Sequence, residues 1–259
     1  MAEIDLDALL SVAADAAREA GEALRAHRLQ WSEIESVVGR EVKVGADKKA
    51  EAIVLAALRA APEIGGRPIP ILSEEAGWVG EREGDLAWAV DPLDGSVNYI
   101  KGYPHCAVSI ALMRGREPLL GVIDCFLLNE TFTGIVGRGA KLNGGEIKVS
   151  AVADRGAGIL ATGIPARAQI DGPVFEAFMT DMLQWRKVRM IGSAAAALAY
   201  VACGRADFYR ESGAMLWDVA GGCALVLAAG GRVRMEGPAL DQPLTVAASN
   251  TALATYLQG

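Results

Sequence analysis

Histidine is nearly missing from this chain: His27 and His105 are the two present in 259 residues. That scarcity argues against a zinc centre of several imidazoles and leaves a Ser-His-Asp triad poorly supplied. His27 is expected to face solvent near a helix end, and His105 to pack in the core beside Cys106. Cysteine is also scarce. Cys106, Cys125, Cys203 and Cys223 form no CxxC pair and each sits among apolar residues, the pattern of buried free thiols in a reducing cytosol. No apolar run approaches the roughly 18–20 residues that span a bilayer. The start, MAEIDLDALL, is acidic and unlike a secretory leader. Basic residues are outnumbered, 25 Lys and Arg against 32 Asp and Glu, for a net charge of -7. Such a balance argues against a nucleic-acid surface. The expectation is a soluble cytoplasmic protein with neither a membrane nor a nucleic-acid partner.

What is present suffices for a large core: 52% of residues are hydrophobic and 22% charged. Residues 5–27 set Leu6, Leu9, Leu10, Ala13, Ala17, Ala20 and Leu24 on one helical stripe. A second helix is predicted after Asp47, whose carboxylate suits an N-cap. RPIPIL reads as a strand leading into Ser73-Glu74-Glu75. Residues 106–137 read as a meander, and KLNGGEIKVS as a hairpin turning at Asn143-Gly144. From about residue 152 strands and helices alternate: ILATGI, VFEAFMTDMLQW, VRMIG, SAAAALAYVACG, ADFYRE, WDVAGGCALVLAAGG and LTVAAS. Ser193 is expected to cap one of these helices and Gly204 to end it. Two halves sharing an interface are expected, 1–150 and 151–259, with no linker between them.

Three acidic positions follow apolar segments in the same manner. Glu74 and Glu75 follow PIPIL, Asp91 and Asp94 follow LAWAV, and Asp218 follows AMLW. Asp-Pro and Asp-Gly often do no more than build turns. If these strand ends converge, however, the carboxylates repel: two unit charges about 4 Å apart cost roughly 4 kcal/mol at an effective dielectric near 20. Protonation or a bound divalent cation relieves that repulsion. Carboxylate and carbonyl oxygens suit Mg2+ or Mn2+ rather than zinc. Two such ions would clamp the attacking and leaving oxygens of a phosphoryl transfer. Amides at Gly95 and Ser96 would meet phosphate if a helix begins there. An EF-hand is excluded by the absence of its alternating acidic loop.

The segment DPLDGSVNY resembles the DPIDGTxNF signature of the inositol monophosphatase family, and WDVAGG resembles its second signature, WDxAAG. SEE upstream, GAKLNGGEIKVS in the middle and RMIGSAAAALAYVACGRADFYRESG before the second signature extend the similarity over nearly the whole chain. The resemblance implies an α/β layered αβαβα sandwich, with an antiparallel N-terminal sheet and a mixed C-terminal one. It implies metal ligands at Glu74, Asp91, Asp94 and Asp218 and at the Leu93 carbonyl, holding two or three Mg2+ ions with Mn2+ as a substitute. Asp47 matches a position that holds a further metal through water, although Ala46 replaces the preceding threonine; helix capping is its other role. Ser96 replaces threonine and keeps the hydroxyl that orients water with Glu74.

The implied activity is hydrolysis of inositol monophosphate or a related sugar or polyol phosphate by metal-activated water, inhibited by Li+. Fructose 1,6-bisphosphate and histidinol phosphate are alternatives. Substrate contacts map onto Gly192, Ser193, Ala194 and Glu211, although Glu211 also reads as a strand end beside Arg210. Val97-Asn98-Tyr99 stands where relatives acting on phosphoadenosine phosphate carry Lys-Glu-Phe. Gly221 replaces an alanine, which implies closer packing, and Trp217 is expected to lie beneath the site. Homodimers are common in the family. Some members bind transcription machinery or RNA, so a catalytically silent regulator is the competing reading.

Overall fold

Hydrophobic patterning becomes packing first in helix α1 (Leu6–Ala26), where Leu9, Ala13, Ala17, Ala20 and Leu24 are buried along the expected stripe. Asp5 caps it, accepting the Ala8 amide at 3.0 Å. The structure is a computed structural model that describes residues 4–38, 41–64, 66–164 and 171–258. A short α2 (Arg28–Trp31) follows, with exposed His27 stacked on Trp31. The hairpin of β1 (Ile34–Val38) and β2 (Glu41–Val44) then leads into α3 (Gly45–Arg59). Here the capping expectation is corrected. Val44 is the N-cap, and Asp47, at the third helical position, reaches back to accept the Val44 amide at 2.9 Å. Gly45 and Ala46 are small enough to be buried in the first turn, so the helix starts ahead of Asp47.

Eight strands form the first sheet: β3 (Ile71–Ser73), β4 (Gly77–Val79), β5 (Leu86–Asp94), β6 (Ala107–Arg114), β7 (Glu117–Cys125), β8 (Glu130–Ile135), β9 (Gly139–Leu142) and β10 (Gly145–Ile147). Their order is β10-β9-β8-β7-β6-β5-β3-β4. The sheet is antiparallel except at one place, where β3 and β5 run parallel because the chain doubles back through β4 before re-entering beside β3. Within RPIPIL the strand begins only at Ile71, after Pro68 and Pro70, which lack the amide a ladder needs. Asn143 and Gly144, with φ of 48° and 83°, make the expected two-residue turn. Helix α4 (Ser96–Lys101) follows β5 directly.

The second sheet comprises β11 (Ile159–Thr162), β12 (Lys187–Arg189), β13 (Phe208–Ala214), β14 (Arg232–Glu236) and β15 (Leu244–Ser249), ordered β12-β11-β13-β15-β14. It is mixed, with β12, β11 and β13 parallel and the rest antiparallel. Helices α5 (Gly172–Met182), α6 (Ala194–Ala202) and α7 (Leu216–Ala228) complete the chain. Ser193 caps α6 by accepting the Ala196 amide at 3.1 Å, and Gly204, φ 76°, follows its end.

The layers are α1 with α3, the large sheet, α6 with α7, the smaller sheet, and α5 outside. Side-chain alternation along β6 shows why the large sheet is buried on both faces. Val108, Ile110 and Leu112 join the α1/α3 cluster, whereas Ala107, Ala111 and Met113 face α6 and α7. Small residues on the second face let α7 approach closely. A Cβ on Gly121 would be driven into the Gly221 carbonyl, and one on Gly221 would lie 2.8 Å from Ser109 Oγ, so the close packing expected at Gly221 is present. The four cysteines are free; Cys106, Cys125 and Cys223 are buried, while Cys203 is only half-buried. Among the described residues no helix is long and apolar enough to cross a membrane.

Candidate active site

The parallel pair sets the first acidic contact. Ser73 of β3 is in register with Val90 of β5, so the next residues, Glu74 and Asp91, lie side by side where β3 ends, Asp91 still paired with Ser109 of β6. Such strand ends are where open α/β sheets bind ligands. The Glu74 amide donates to the Val90 carbonyl at 3.2 Å, extending the ladder to the acidic residue itself. Along β5 the pairing with β6 slips between Asp91 and Asp94, a bulge that re-aims the chain. The Asp91 carboxylate accepts the Leu93 amide at 3.0 Å, closing the turn from within.

Gly95, φ 86°, then starts α4. A Cβ there would lie 2.9 Å from the His105 carbonyl oxygen and 3.1 Å from that of Gly192, so both conformation and space demand glycine. Ser96 Oγ lies 3.1 Å from the Leu93 carbonyl oxygen and 3.2 Å from Asp47 Oδ1. Asp94 is held from the other half of the chain: it accepts the Ser193 hydroxyl at 2.5 Å and the Ala195 amide at 2.7 Å, at the N-terminus of α6. Asp218 stands in the first turn of α7 and accepts the Met215 amide at 2.8 Å.

These groups open into one cavity of about 380 Å³. Its lining includes Glu74, Asp91, Leu93, Asp94, Gly95, Ser96, Gly192, Ser193, Ala194, Glu211 and Asp218. Asp47 does not line it and reaches it through Ser96. Glu211 faces the cavity, with its carboxylate accepting the Tyr209 hydroxyl at 2.8 Å.

Several members went unread in the sequence. Tyr209 and Glu211 are two apart on β13 and share a face, a period-two signal that could have paired them. Thr162, Gly163 and Ile164 enter the wall at the end of β11, for which the sequence holds no signal beyond a strand end. Trp217, half-buried at the start of α7, lines the cavity and packs against the core between the sheets. Asn98, inside the first signature, donates to the carbonyls of His105 and Ile191, both at 2.7 Å, and so ties α4 to the segment preceding α6. His105 is half-buried, its ring edge-on to Tyr200.

Among the described residues, the cavity lining holds five carboxylates and no Lys, Arg or His. Burial first, and then repulsion from Asp218 and Asp47, hold the Glu74 carboxyl well above the usual carboxylate range. Asp91 is raised likewise, by burial first and then by Glu74 and Asp94. Burial lifts Asp94 to about 6 despite the Ser193 and Ala195 donors, and lifts Glu211 to about 7 against the Tyr209 hydroxyl.

A charge deficit of this kind asks for a cation from outside the chain. Among the described residues no three acidic, His or Cys side chains already form a ready metal cage. Mg2+ does not require one, since it keeps several waters and takes one or two carboxylates at a time. The oxygen-only donor set fits Mg2+ or Mn2+ and not zinc.

Known proteins are similar to this chain in sequence and fold. The Inositol monophosphatase family model matches residues 5–258. Nus factor SuhB of Xylella fastidiosa is 39% identical over 228 residues, covering 86% of this chain and 80% of that protein. The structure of inositol monophosphatase from Anabaena (Nostoc) superposes with a TM-score of 0.83 at 33% identity, covering 98% of this chain and 95% of that one. Extragenic suppressor protein suhB from Bartonella henselae gives 0.84 at 30% identity over 97% of each chain. With two signatures meeting at one acidic cavity and a family match that runs almost from end to end, the chain belongs to the inositol monophosphatase family.

Proposed function

We propose that the chain is a Mg2+-dependent phosphomonoesterase acting on inositol monophosphate or a related small sugar or polyol phosphate. The observation that carries this reading is the convergence of five carboxylates, Glu74, Asp91, Asp94, Glu211 and Asp218, on one cavity, with no basic side chain among the described residues of its wall. A phosphate dianion enters such a site only with cations that outweigh the acidic wall. Glu74, Asp91, Asp94, Asp218 and the Leu93 carbonyl would hold two ions, with Asp47 serving a third through water. When bound, Mg2+ supplies a Lewis acid that neutralises phosphate charge and makes water acidic enough to attack.

The chain's own groups do the rest. The single proton of Ser96 is committed to Asp47 or to the Leu93 carbonyl, which leaves its lone pairs to accept from the attacking water. Glu74 takes that water's proton. The water oxygen bonds to phosphorus, the ester P–O bond breaks, and the alkoxide leaves to be protonated. Amides of Gly95 and Ser96 face the phosphate. Ser193 gives its hydroxyl proton to Asp94 and one lone pair to the Ala196 amide, which leaves a second lone pair for a sugar hydroxyl. It also holds the Asp94 carboxylate in place, and sugar hydroxyls would meet Ser193 together with Glu211, the Gly192 backbone and the rim of α6 at Ala194. Membership of the family supports a homodimer and Li+ inhibition, and the free thiols support residence in the cytoplasm.

A regulatory binding protein is the second reading, favoured by the name Nus factor that the SuhB relative carries. Phosphate release separates the two. With Mg2+, a panel of inositol 1-phosphate, fructose 1,6-bisphosphate, histidinol phosphate and phosphoadenosine phosphate should give turnover on inositol 1-phosphate that EDTA abolishes. No release from any of the four would sink the enzymatic reading.

A further inference from the structure

One buried carboxylate near the site takes no part in the chemistry above. Glu51 of α3 is 7% exposed and does not line the cavity. Its Oε1 accepts the Ser73 hydroxyl at 2.5 Å and the Ala76 amide at 3.0 Å. Those two donors flank Glu74, one before it and one two residues after, so the carboxylate clamps both shoulders of the turn that carries Glu74. Ser73 is fully buried, which leaves its hydroxyl no water to turn to. Glu51 also lies four residues after Asp47, on the same face of the same helix. Asp47 meets Ser96, and Glu51 meets the Glu74 turn. Helix α3 therefore supports two sides of the cavity from behind, through Ser96 and through the Glu74 turn, at fixed spacing.

We propose that Glu51 is a positioning residue: by accepting from Ser73 and Ala76 it fixes the direction in which Glu74 enters the cavity. The proposal rests on the phosphatase reading for its catalytic consequence. Its geometric content is separate, because Glu74 must be aimed for any cation bound there as well.

The test compares Glu51→Ala, Glu51→Gln and Ser73→Ala in the full chain. Three readouts are needed: steady-state kinetics on inositol 1-phosphate, thermal melting, and Mn2+ affinity by electron paramagnetic resonance. Misplacing a reacting group by about 1 Å costs up to about 10²-fold. Glu51→Ala should lose turnover on that scale with KM little changed, and should bind Mn2+ more weakly. Glu51→Gln keeps an oxygen acceptor and should restore both. Ser73→Ala removes one donor without disturbing the helix, so it should show a smaller loss in the same sense even if Glu51→Ala fails to fold. Wild-type turnover and Mn2+ affinity in Glu51→Ala or Ser73→Ala overturn the proposal. So does a uniform fall of kcat, KM and melting temperature that glutamine does not rescue. If the wild type hydrolyses nothing but Mn2+ affinity still falls in alanine and returns in glutamine, the phosphatase reading fails and the positioning role stands.

Discussion

Asp218 Oδ2 accepts the Met215 amide at 2.8 Å, a bond that an asparagine carbonyl oxygen also makes. Asp218→Asn therefore preserves the start of α7 while removing a negative charge from the cavity. Activity should fall by at least about 10²-fold, the scale of losing one preorganised electrostatic group, with melting unchanged. Near-normal turnover on inositol 1-phosphate would contradict the proposed ligand set. Asp124 is a carboxylate of another kind, buried at the α1 face and bonded to the Thr131 hydroxyl at 2.7 Å. Burial raises it to about 6 in spite of Thr131 and Arg25. The folded state thus binds its proton more tightly than the unfolded state. Stability from this group is present below pH 4 and lost as pH rises through 6. Asp124→Asn should remove that slope, so the urea-unfolding free energy of variant minus wild type should rise by up to about 3 kcal/mol from pH 4 to 7. A flat difference would show that burial does not perturb Asp124.

At the scale of elements, two glycines govern how closely α7 meets the sheet. A Cβ at Gly221 would lie 2.8 Å from Ser109 Oγ and 2.9 Å from Ile123 Cδ1. Alanine gains about 1 kcal/mol of helix propensity, whereas overpacking costs about 1–3 kcal/mol. Packing wins, and Gly221→Ala should lower the urea midpoint even though it installs the residue of the related signature. Gly121→Ala should lower it further, because its Cβ meets the unyielding backbone carbonyl of Gly221. The two costs share one contact and should not add. An unchanged midpoint in both would mean that α7 can shift away from the sheet freely.

Over the whole molecule, the cavity lies where the sheet of residues 71–147 faces helices and strands of the second half, and both contribute acid to it. Without metal, the raised carboxylates favour the folded state at low pH and oppose it as pH rises through about 6 to 7. Bound Mg2+ reverses this, since it replaces the protons. At one hundred times its dissociation constant a ligand stabilises by about 2.7 kcal/mol. Mg2+ should therefore raise the melting temperature at pH 8, have little effect at pH 5, and release protons on binding. An equal effect at both pH values would show that the ions bind elsewhere.

Much of this was legible from residues alone. Periodicity located α1, α3, the meander and the alternating second half, and turn chemistry placed Asn143-Gly144, Gly95 and the Ser193 cap. The acidic positions stood out because carboxylates after apolar runs are costly without a partner. Patterning was not read at β1, which is largely exposed, nor at β2 and β14, where EVKV and RVRME alternate and turn Val42, Val44, Val233 and Met235 to the core over too few residues to stand out. Tertiary structure alone decided the rest. Glu74 and Asp91 are neighbours because β3 and β5 pair in parallel, a relation between segments that no local period records. Ser193 gives its proton to Asp94 and Glu51 grips the Glu74 turn for the same reason: each partner lies far along the chain. Side-chain type and spacing determine which groups can bond and which faces must be buried; only the folded arrangement of distant segments settles which partner each one meets.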